Sequence, residues 1–348
     1  MTADVRPTAL RLRWLLLAVT SLAIALVLGV VIGPVQLGLD TILRDVVDRL
    51  PLVDVSSGLD DRASAIFWQL RVPRVVLAGL VGSMLALAGA AYQGVFRNPL
   101  ADPYLLGVAA GAGLGATIVI AFAPGAAGWP IDPLPLAAFG GALLGVSVTY
   151  ILGRGGTRGR TTTTLILAGV ATASFLTAIQ TYIQQREDDT VRQVYTWILG
   201  QLTTASWREV ALVLPYLLVS SIAILLHRRL LDILSVGDEE AGSLGVNTSR
   251  VRLIIVVAAS LGTAAAVAVS GLIGFVGVIV PHTVRLLFGS SYRVVVPLSI
   301  VFGAAFLILA DVVGRTLIAP AEIPIGVITA FLGAPFFLIV LRRSGRIA

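Results

Sequence analysis

The sequence of 348 residues contains no cysteine and no lysine, and it has only two histidines and two methionines. The absence of lysine excludes both the lysine of a phosphate-binding loop and a lysine that forms a Schiff base. The absence of cysteine excludes disulfides, thiolate nucleophiles and iron–sulfur ligands. The two histidines, His227 and His282, are well separated and form no metal-ligand pattern. We therefore expect no catalytic residue, no metal site and no bound cofactor in this chain.

Charged residues are also scarce, at 13% of the chain against about a quarter in soluble proteins. Apolar residues make up 57%, and the mean hydropathy is +0.95. A soluble protein of this length has too little interior to hide so much apolar surface, so the composition predicts an all-α integral membrane protein. The net charge of +6 comes from arginine. In a membrane protein an arginine excess reflects orientation in the bilayer, and we expect no nucleic-acid partner.

Ten apolar segments approach the length of about 20 residues that a helix needs to cross a bilayer. The first, Trp14–Ile32, is too long for a signal peptide and lacks a cleavage pattern after it, so we predict a retained helix. The others are predicted at Val72–Tyr92, Tyr104–Phe122, Leu134–Leu152, Thr163–Ile183, Glu209–Leu226, Val251–Ser270, Phe275–Leu287, Val295–Val313 and Ile325–Leu341. No polar stretch between them is large enough to fold independently. Residues 1–348 are therefore predicted to form a single transmembrane domain.

Both chain ends are predicted to lie in the cytoplasm. With ten spans the termini share one side, and this orientation places 16 arginines inside and 9 outside. An excess of arginine in cytoplasmic loops is what the positive-inside rule requires. The outer arginines are then the unusual ones.

Three of these outer arginines, Arg71, Arg74 and Arg315, lie at the ends of predicted spans. Arg71 and Arg74 flank Pro73, and Arg315 follows Asp311 by four residues. The spacing of Asp311 and Arg315 permits an ion pair within one helix. Alternatively, the arginines form an outward-facing basic patch that docks an acidic partner. The residues alone leave both interpretations open.

Small residues recur at four-residue spacing in several segments, at Gly107, Gly111 and Gly115 and again at Gly141 and Gly145. Such spacing lets helix backbones approach closely in lipid. The density of these positions predicts a compact bundle in which most helices touch several others.

Pro281 lies inside the eighth apolar segment. A proline there is expected to kink or break its helix, with neighbouring groups binding the carbonyl that it leaves free. His282 follows it, and is either packed beside the kink or a proton site.

Two polar stretches on the predicted cytoplasmic side contain recognisable local signals. In QGVFRNPLADP, Asn98 and Pro99 predict a turn, and Asp102 followed by Pro103 predicts a helix start. This stretch is either a stiff connector or a contact site. In LSVGDEEAGSLGV, three acidic residues precede a glycine, Gly245, that suits a left-handed helix end. We predict a short amphipathic helix there, of the kind that a transport subunit presents to a cytoplasmic motor, with a solvated loop as the alternative.

Longer stretches carry a family resemblance. Leu70–Ala116 reads LRVPRVVLAGLVGSMLALAGAAYQGVFRNPLADPYLLGVAAGAGLGA, Gly271–Arg285 reads GLIGFVGVIVPHTVR, and Ala310–Arg346 contains ADVVGR, EIPIGVITAFLGAPFF and RRSGR. In this order and spacing, together with Gly237–Val246, they resemble the FecCD-type permeases that take up iron chelates and cobalamin. The resemblance covers residues 67–346.

The resemblance implies the transmembrane subunit of an ATP-binding-cassette (ABC) importer in the plasma membrane, with the type II importer fold of ten membrane helices. Similar permeases pair as homodimers or heterodimers, bind two cytoplasmic ATP-binding subunits and receive cargo from an extracytoplasmic binding protein. The ATP site is then on a partner chain, in agreement with the missing lysine. The expected cargo is an iron chelate, with ferric siderophore first and haem or cobalamin as alternatives.

The resemblance also assigns roles to individual residues. Arg71, Arg74 and Arg315 are implied to contact acidic residues of the binding protein. The segment that matches the coupling helix, which seats in a cleft of the ATPase, consists of Asp238, Glu239, Glu240, Ala241, Gly242, Ser243, Leu244 and Gly245. The residues given a structural role are Asn98, Pro99, Asp102, Pro103 and Pro281. The gate is expected near the end of the fifth span and the short helix after it, at about Thr181–Gly200.

Two other classes of function compete with import by an ABC transporter. An ion-coupled secondary transporter requires buried ionisable residues at mid-membrane. An intramembrane enzyme requires a nucleophile with a base, or metal ligands, at membrane depth. The sequence offers almost none of these residues, so the import permease is the leading interpretation.

Overall fold

The computed structural model describes residues 10–33, 35, 38–48, 60–123, 132–153, 162–187 and 190–344. Within these ranges the chain forms helices and turns, with no β-strand. The arginines of the orientation argument that fall outside the described residues are Arg6, Arg49, Arg154, Arg158, Arg160 and Arg346.

Helices account for most of the described residues. They are α1 (Leu12–Val31), α2 (Leu39–Asp48), α3 (Asp61–Ala65), α4 (Val72–Val95), α5 (Val108–Phe122), α6 (Pro133–Gly153), α7 (Thr162–Arg186), α8 (Val191–Ile198), α9 (Trp207–Val236), α10 (Asp238–Ser243), α11 (Thr248–Ser270), α12 (Val276–Phe288), α13 (Tyr292–Thr316) and α14 (Ile325–Ser344). A π-helical turn, Ile66–Arg71, joins α3 to α4, and a 3₁₀ turn, Pro103–Leu106, precedes α5.

Among the described residues, seven helical segments are long and apolar enough to cross a membrane: Leu12–Val31, Asp61–Val95, Pro133–Gly153, Thr163–Arg186, Trp207–Val236, Thr248–Ser270 and Tyr292–Thr316. Three shorter apolar helices lie among them, at Val108–Phe122, Val276–Phe288 and Ile325–Val340. The prediction of an all-α, multi-pass membrane protein is confirmed. Every predicted span coincides with an apolar helix, while the total of ten crossings stays a prediction.

Helix α4 lies at the centre of the bundle. It packs against α9, α11, α12 and α13, and nearly all of its side chains from Leu77 to Val95 are buried. Its sequence is rich in alanine and glycine, so it is narrow enough for several helices to surround it. By contrast, α1 is peripheral, and its buried residues are the small ones, Ala18, Ala25 and Gly29.

The predicted glycine positions on α5 and α6 allow close packing of these two helices, and glycine pairs that were not predicted do the same at other crossings. Several pairs of glycines put the two helix backbones so close that a Cβ atom on one would meet the backbone of the other. These pairs are Gly82 with Gly303, Gly89 with Gly277, and Gly111 with Gly141. The bundle is therefore held by backbone proximity at these crossings.

Replacement of Gly141 by alanine should destabilise the protein by about 1–3 kcal/mol, because the added methyl group meets the carbonyl of Gly111 and forces α5 and α6 apart. The matched control is Gly140→Ala, since nothing lies within 4 Å of a Cβ built at Gly140. The Gly140→Ala variant should be as stable as wild type, or more stable by up to about 1 kcal/mol because alanine has a higher helix propensity than glycine. Thermal unfolding in detergent measures both variants, and equal melting temperatures would contradict the close contact.

Helix α12 continues through Pro281 without interruption. Proline removes the hydrogen bond that would reach the carbonyl four residues earlier, at Gly277. That carbonyl accepts a hydrogen bond from Gln93 Nε2 of α4 at 3.2 Å. The expected replacement partner is therefore present. His282 packs edge-on against the ring of Phe336, with 5.7 Å between ring centroids.

Candidate functional site

The acidic segment after α9 forms the short helix α10. Its three acidic residues occupy the first turn, and Gly245 has a left-handed conformation, with φ of 79°. The helix ends at Ser243, two residues before Gly245. In the turn after it, the Val246 N–H donates to the Ala241 carbonyl at 3.1 Å. The sequence therefore predicted both the helix and the residue that ends the turn after it.

One face of α10 is attached to the bundle. The carboxylate of Asp238 contacts Nη2 of Arg97 at 3.4 Å and Nη2 of Arg252 at 3.0 Å. Arg97 follows the end of α4, and Arg252 lies near the start of α11. Ala241 is fully buried beneath the helix. Asp238 thus connects α10 to the connector that follows α4 and to α11.

The other face of α10 is open. Glu239 and Glu240 are exposed, and Leu244 is 68% exposed. These three side chains form the open face of α10, which the contacts of Asp238 and the buried Ala241 leave uncovered.

The connector between α4 and α5 is held by its own polar side chains. Asn98 Oδ1 accepts from the Leu100 N–H at 2.9 Å, and Asp102 Oδ1 accepts from the Tyr104 N–H at 2.8 Å, as the predicted turn and helix start require. The Tyr104 hydroxyl then donates to the Ile273 carbonyl at 3.0 Å. Because Arg97 of this connector also reaches Asp238, the stretch is both a stiff connector and a contact for α10.

Burial raises the pKa of the Asp102 carboxyl from 3.8 to about 6. The folded protein therefore binds this proton more tightly than the unfolded chain, so the contribution of Asp102 to stability is fully present below pH 3.8 and is lost as the pH rises through about 6. Asp102→Asn keeps an oxygen acceptor for Tyr104 but does not ionise. Relative to wild type, this variant should gain stability as the pH is raised across that window. Parallel melting-temperature profiles of the two proteins would contradict a buried, titrating carboxyl.

The three arginines predicted to act together do form one cluster, at the opposite end of α4. Arg74 binds Asp311 through Nη2 at 2.8 Å and Glu322 through Nη2 at 2.8 Å. Arg315 contacts Asp311 at 3.5 Å, so the predicted pair within one helix is present.

The cluster also holds the end of α1. Arg71 donates to the carbonyls of Val30 and Val31 at 3.3 Å and to that of Val35. Arg315 donates to the carbonyl of Gly29. The carbonyls of Gly29, Val30 and Val31 are among the last of α1 and lack partners within the helix, so the two arginines supply donors to them.

The three arginines are all largely buried, and Arg74 is the least buried of them. Arg71 is 5% exposed and Arg315 is 3% exposed, whereas the side chain of Arg74 is 16% exposed. Contact of all three with a binding protein stays a prediction. In this structure Arg71 and Arg315 are occupied with α1 and Asp311.

An apolar cavity of about 540 Å³ lies between the end of α8 and α14. It is lined by Ile198, Leu199, Leu272, Gly326, Val327, Ala330, Phe331, Ala334 and Pro335. The two walls are joined where the Gly326 N–H donates to the Leu199 carbonyl at 3.0 Å. This cavity adjoins the predicted gate, Thr181–Gly200, of which residues 188 and 189 lie outside the described residues.

Three residues that matter at these sites were not predicted: Arg97, Arg252 and Glu322. Arg97 and Arg252 looked like ordinary cytoplasmic charges in the orientation count. The signal that marks Arg97 is conformational, because it is one of the described non-glycine residues with positive φ, at 51°. Such a backbone is unusual and points to a fixed position.

Comparisons with known proteins show which family this chain resembles. The sequence profile of the FecCD transport family matches residues 21–343. The permease protein YvrB of Bacillus subtilis is 40% identical over 93% of this chain and 92% of its own length. The cobalamin import permease BtuC of Halobacterium salinarum is 41% identical over 82% of this chain and 75% of its own length. Other similar permeases are named for import of Fe(3+)-citrate, hemin and iron(3+)-hydroxamate.

The fold is similar to that of a solved transporter as well. A structure described as an inward-facing conformation of a metal-chelate type ABC transporter superimposes with a TM-score of 0.81. The match covers 95% of this chain and 99% of that one, at 28% identity.

Proposed function

The chain belongs to the FecCD transport family and is a multi-pass permease subunit of an ABC importer, and we propose that its cargo is an iron chelate of the ferric siderophore class. ATP hydrolysis in such importers takes place on separate subunits. The relatives named for ferric citrate, hydroxamate and hemin support an iron-containing cargo. The apolar lining of the cavity beside α8 supports a large, weakly charged cargo rather than a free metal ion.

We propose that the chain crosses the plasma membrane ten times, with both termini in the cytoplasm. The coincidence of the three shorter apolar helices with predicted spans supports the number. The arginine bias supports the orientation. The similarity to the metal-chelate transporter supports the type II importer fold.

The observation that carries the proposed mechanism is the attachment of α10. We propose that Asp238–Gly245 seats in a cytoplasmic ATPase subunit through its open face, with Glu239, Glu240 and Leu244 in contact. The Asp238 contacts to Arg97 and Arg252 pass movement of α10 to the ends of α4 and α11. Because α4 is the central helix, displacement of its end shifts the packing of the whole bundle.

Two permease chains, identical or similar, are proposed to enclose the path. Phe331 lines the cavity beside α8 and yet is 74% exposed, so the cavity continues to the outside of a single chain. A second subunit would close it. Nucleotide binding and binding-protein docking must then favour different states of this pair for import to run in one direction.

On the outer side, we propose that an acidic residue of the extracytoplasmic binding protein reaches the arginine cluster at Arg74. Arg74 is the most accessible of the three arginines, and its carboxylate partner Glu322 is itself 29% exposed. A docking carboxylate would therefore compete with Glu322, while Arg71 and Arg315 keep the end of α1 in place.

The proposed function is tested by nucleotide hydrolysis in lipid nanodiscs that contain this chain with candidate ATPase and binding-protein partners. Binding protein loaded with ferric siderophore should stimulate hydrolysis, and replacing Asp238–Gly245 by a glycine–serine linker should abolish the stimulation. Haem-loaded and cobalamin-loaded binding proteins are the parallel arms. Stimulation by only the haem-loaded or only the cobalamin-loaded binding protein would change the assigned cargo but keep the importer class.

Failure to form a complex with any ATPase, together with ion-driven uptake by the chain alone, would favour a secondary transporter. The structure offers little for that alternative. Asp311 is the buried carboxylate among the described apolar helices that an ion relay would use, and it is already paired with Arg74 and Arg315.

A further inference from the structure

A narrow apolar groove of about 250 Å³ lies between α1, α12 and α13. It is lined by Ser21, Ile279, Val280, Thr283, Val284, Leu287, Phe288, Phe302, Ala305, Phe306 and Leu309. On α12 the lining runs from Ile279 to Phe288, which is about 13 Å of helix. Half of the hydrocarbon core of a bilayer is about 15 Å. The groove therefore has the length of one acyl chain's path through a single leaflet.

The end of the groove is marked by aromatic and cationic side chains. Trp14 meets Phe288 edge-on, with 5.8 Å between ring centroids. The guanidinium groups of Arg11 and Arg13 lie 5.2 Å and 5.8 Å from the Trp14 ring. In the part of the chain that the structure describes, neither arginine forms an ion pair. Two exposed cations thus lie directly beside the mouth of an apolar groove.

We propose that this groove and its mouth bind one anionic phospholipid of the cytoplasmic leaflet. The acyl chain lies along α12 and α13, and the headgroup phosphate lies between Arg11 and Arg13, with Trp14 at the interface. Basic pockets on the cytoplasmic side of membrane helices bind anionic headgroups, and tryptophan is typical of this depth. The proposal rests on the orientation proposed above, which puts the start of α1 in the cytoplasm.

A lipid suits this place better than another helix. The outer surface of α1 is covered with exposed aliphatic side chains, such as Leu12 at 71% and Leu16 at 58%, so α1 faces lipid. The groove is also a cleft between helices rather than a flat face, which fits a single flexible chain.

The lipid would complete the attachment of α1. At its outer end, Gly29 packs directly against Val75 and Ile308, and the arginine cluster binds the last carbonyls of the helix. At the inner half, Ala18 is the one fully buried side chain before Ala25. At the outer end of α1 the helices pack directly against each other. At the inner half, the lipid would fill the gap between α1 and α13.

The experiment is native mass spectrometry of the purified chain, with no ATPase present, after exchange into mixtures of phosphatidylglycerol and phosphatidylcholine. Wild type should retain phosphatidylglycerol in preference to phosphatidylcholine. The double variant Arg11→Gln, Arg13→Gln should lose roughly thirtyfold of that preference, from the attraction of two surface arginines to an anionic lipid. Arg11→Lys with Arg13→Lys should keep most of it.

Two further variants separate the parts of the site. Ser21→Leu fills the groove from α1 and should reduce retention of both lipids. Arg250→Gln removes an exposed arginine outside the groove and should change the retention of neither lipid. Circular dichroism confirms that each variant is folded.

Equal retention of the two lipids by wild type, or unchanged preference in the double glutamine variant, would overturn the proposal. So would a stable dimer of the chain in which Trp14 is covered by the second copy. The native chain has no cysteine, so cross-linking through a single cysteine placed at Leu17 detects that dimer. Because no ATPase takes part, failure here is distinguishable from failure of the import function.

Discussion

Replacing Asp311 by asparagine should destabilise the protein by about 3–5 kcal/mol, because it leaves a buried arginine without its counter-charge. Asp311 is 2% exposed and Arg315 is 3% exposed. After the substitution Arg74 keeps Glu322, whereas Arg315 keeps only the carbonyl of Gly29. An uncompensated buried charge costs far more than an exposed pair contributes. The measurement is unfolding in mixed micelles of increasing denaturing detergent.

Two comparisons make this prediction sharp. Glu322→Gln removes the other carboxylate of the cluster, but that side chain is 29% exposed, so we expect a loss of no more than about 1 kcal/mol. The double variant Asp311→Leu, Arg315→Met removes the buried pair together and should recover much of the lost stability. A double variant less stable than Asp311→Asn would show that Arg315 matters through its contact with α1 and not through its charge.

From the proposed seating of α10 in an ATPase subunit, we expect that replacing Leu244 by aspartate weakens assembly with the ATPase by roughly thirtyfold. Burying one leucine side chain contributes about 2 kcal/mol, and a tenfold change in affinity corresponds to about 1.4 kcal/mol. Leu244 is 68% exposed in this chain, so its loss should not affect the stability of the permease alone. Binding is measured by titrating the ATPase onto nanodiscs that contain the permease.

The matched variant is Leu244→Met, which keeps an apolar side chain of similar size and should assemble normally. The melting temperature of each permease without its partner serves as the folding control. Wild-type affinity for the ATPase in Leu244→Asp would place the coupling contact elsewhere than on the open face of α10.

The positions of the membrane helices could be predicted to within a few residues in most cases. Leu134–Leu152 was predicted where α6 runs over Pro133–Gly153, and Val251–Ser270 where α11 runs over Thr248–Ser270. Hydropathy over about 20 residues is a local property of the sequence. An apolar helix of that length is stable in the bilayer core without any particular tertiary contact. Hydropathy does not report how far a helix extends beyond its apolar run. The predicted span Glu209–Leu226 lies within α9, which continues to Val236, past His227 and two arginines.

The short helix α2 was not predicted, because it contains polar residues on one side and has no long apolar run. Helix α8 lies where the family resemblance implies a short helix after the fifth span. By contrast, α10 was predicted, because an acidic first turn and a terminal glycine are signals that act within one helix.

Sequence alone therefore identified the class of protein, the apolar helices, the turn at Asn98 and Asp102, and the acidic segment at Asp238, because each depends on residues close together in the chain. It did not reveal that Arg71 and Arg315 bind the end of α1, or that Arg97 and Arg252 share Asp238. Those contacts join residues that are far apart in the chain, and several of the acceptors are backbone carbonyls that any residue carries. Folding decides which carbonyls lie within reach of a given side chain. The arginine cluster that the sequence suggested as an exposed docking patch therefore also binds the end of α1.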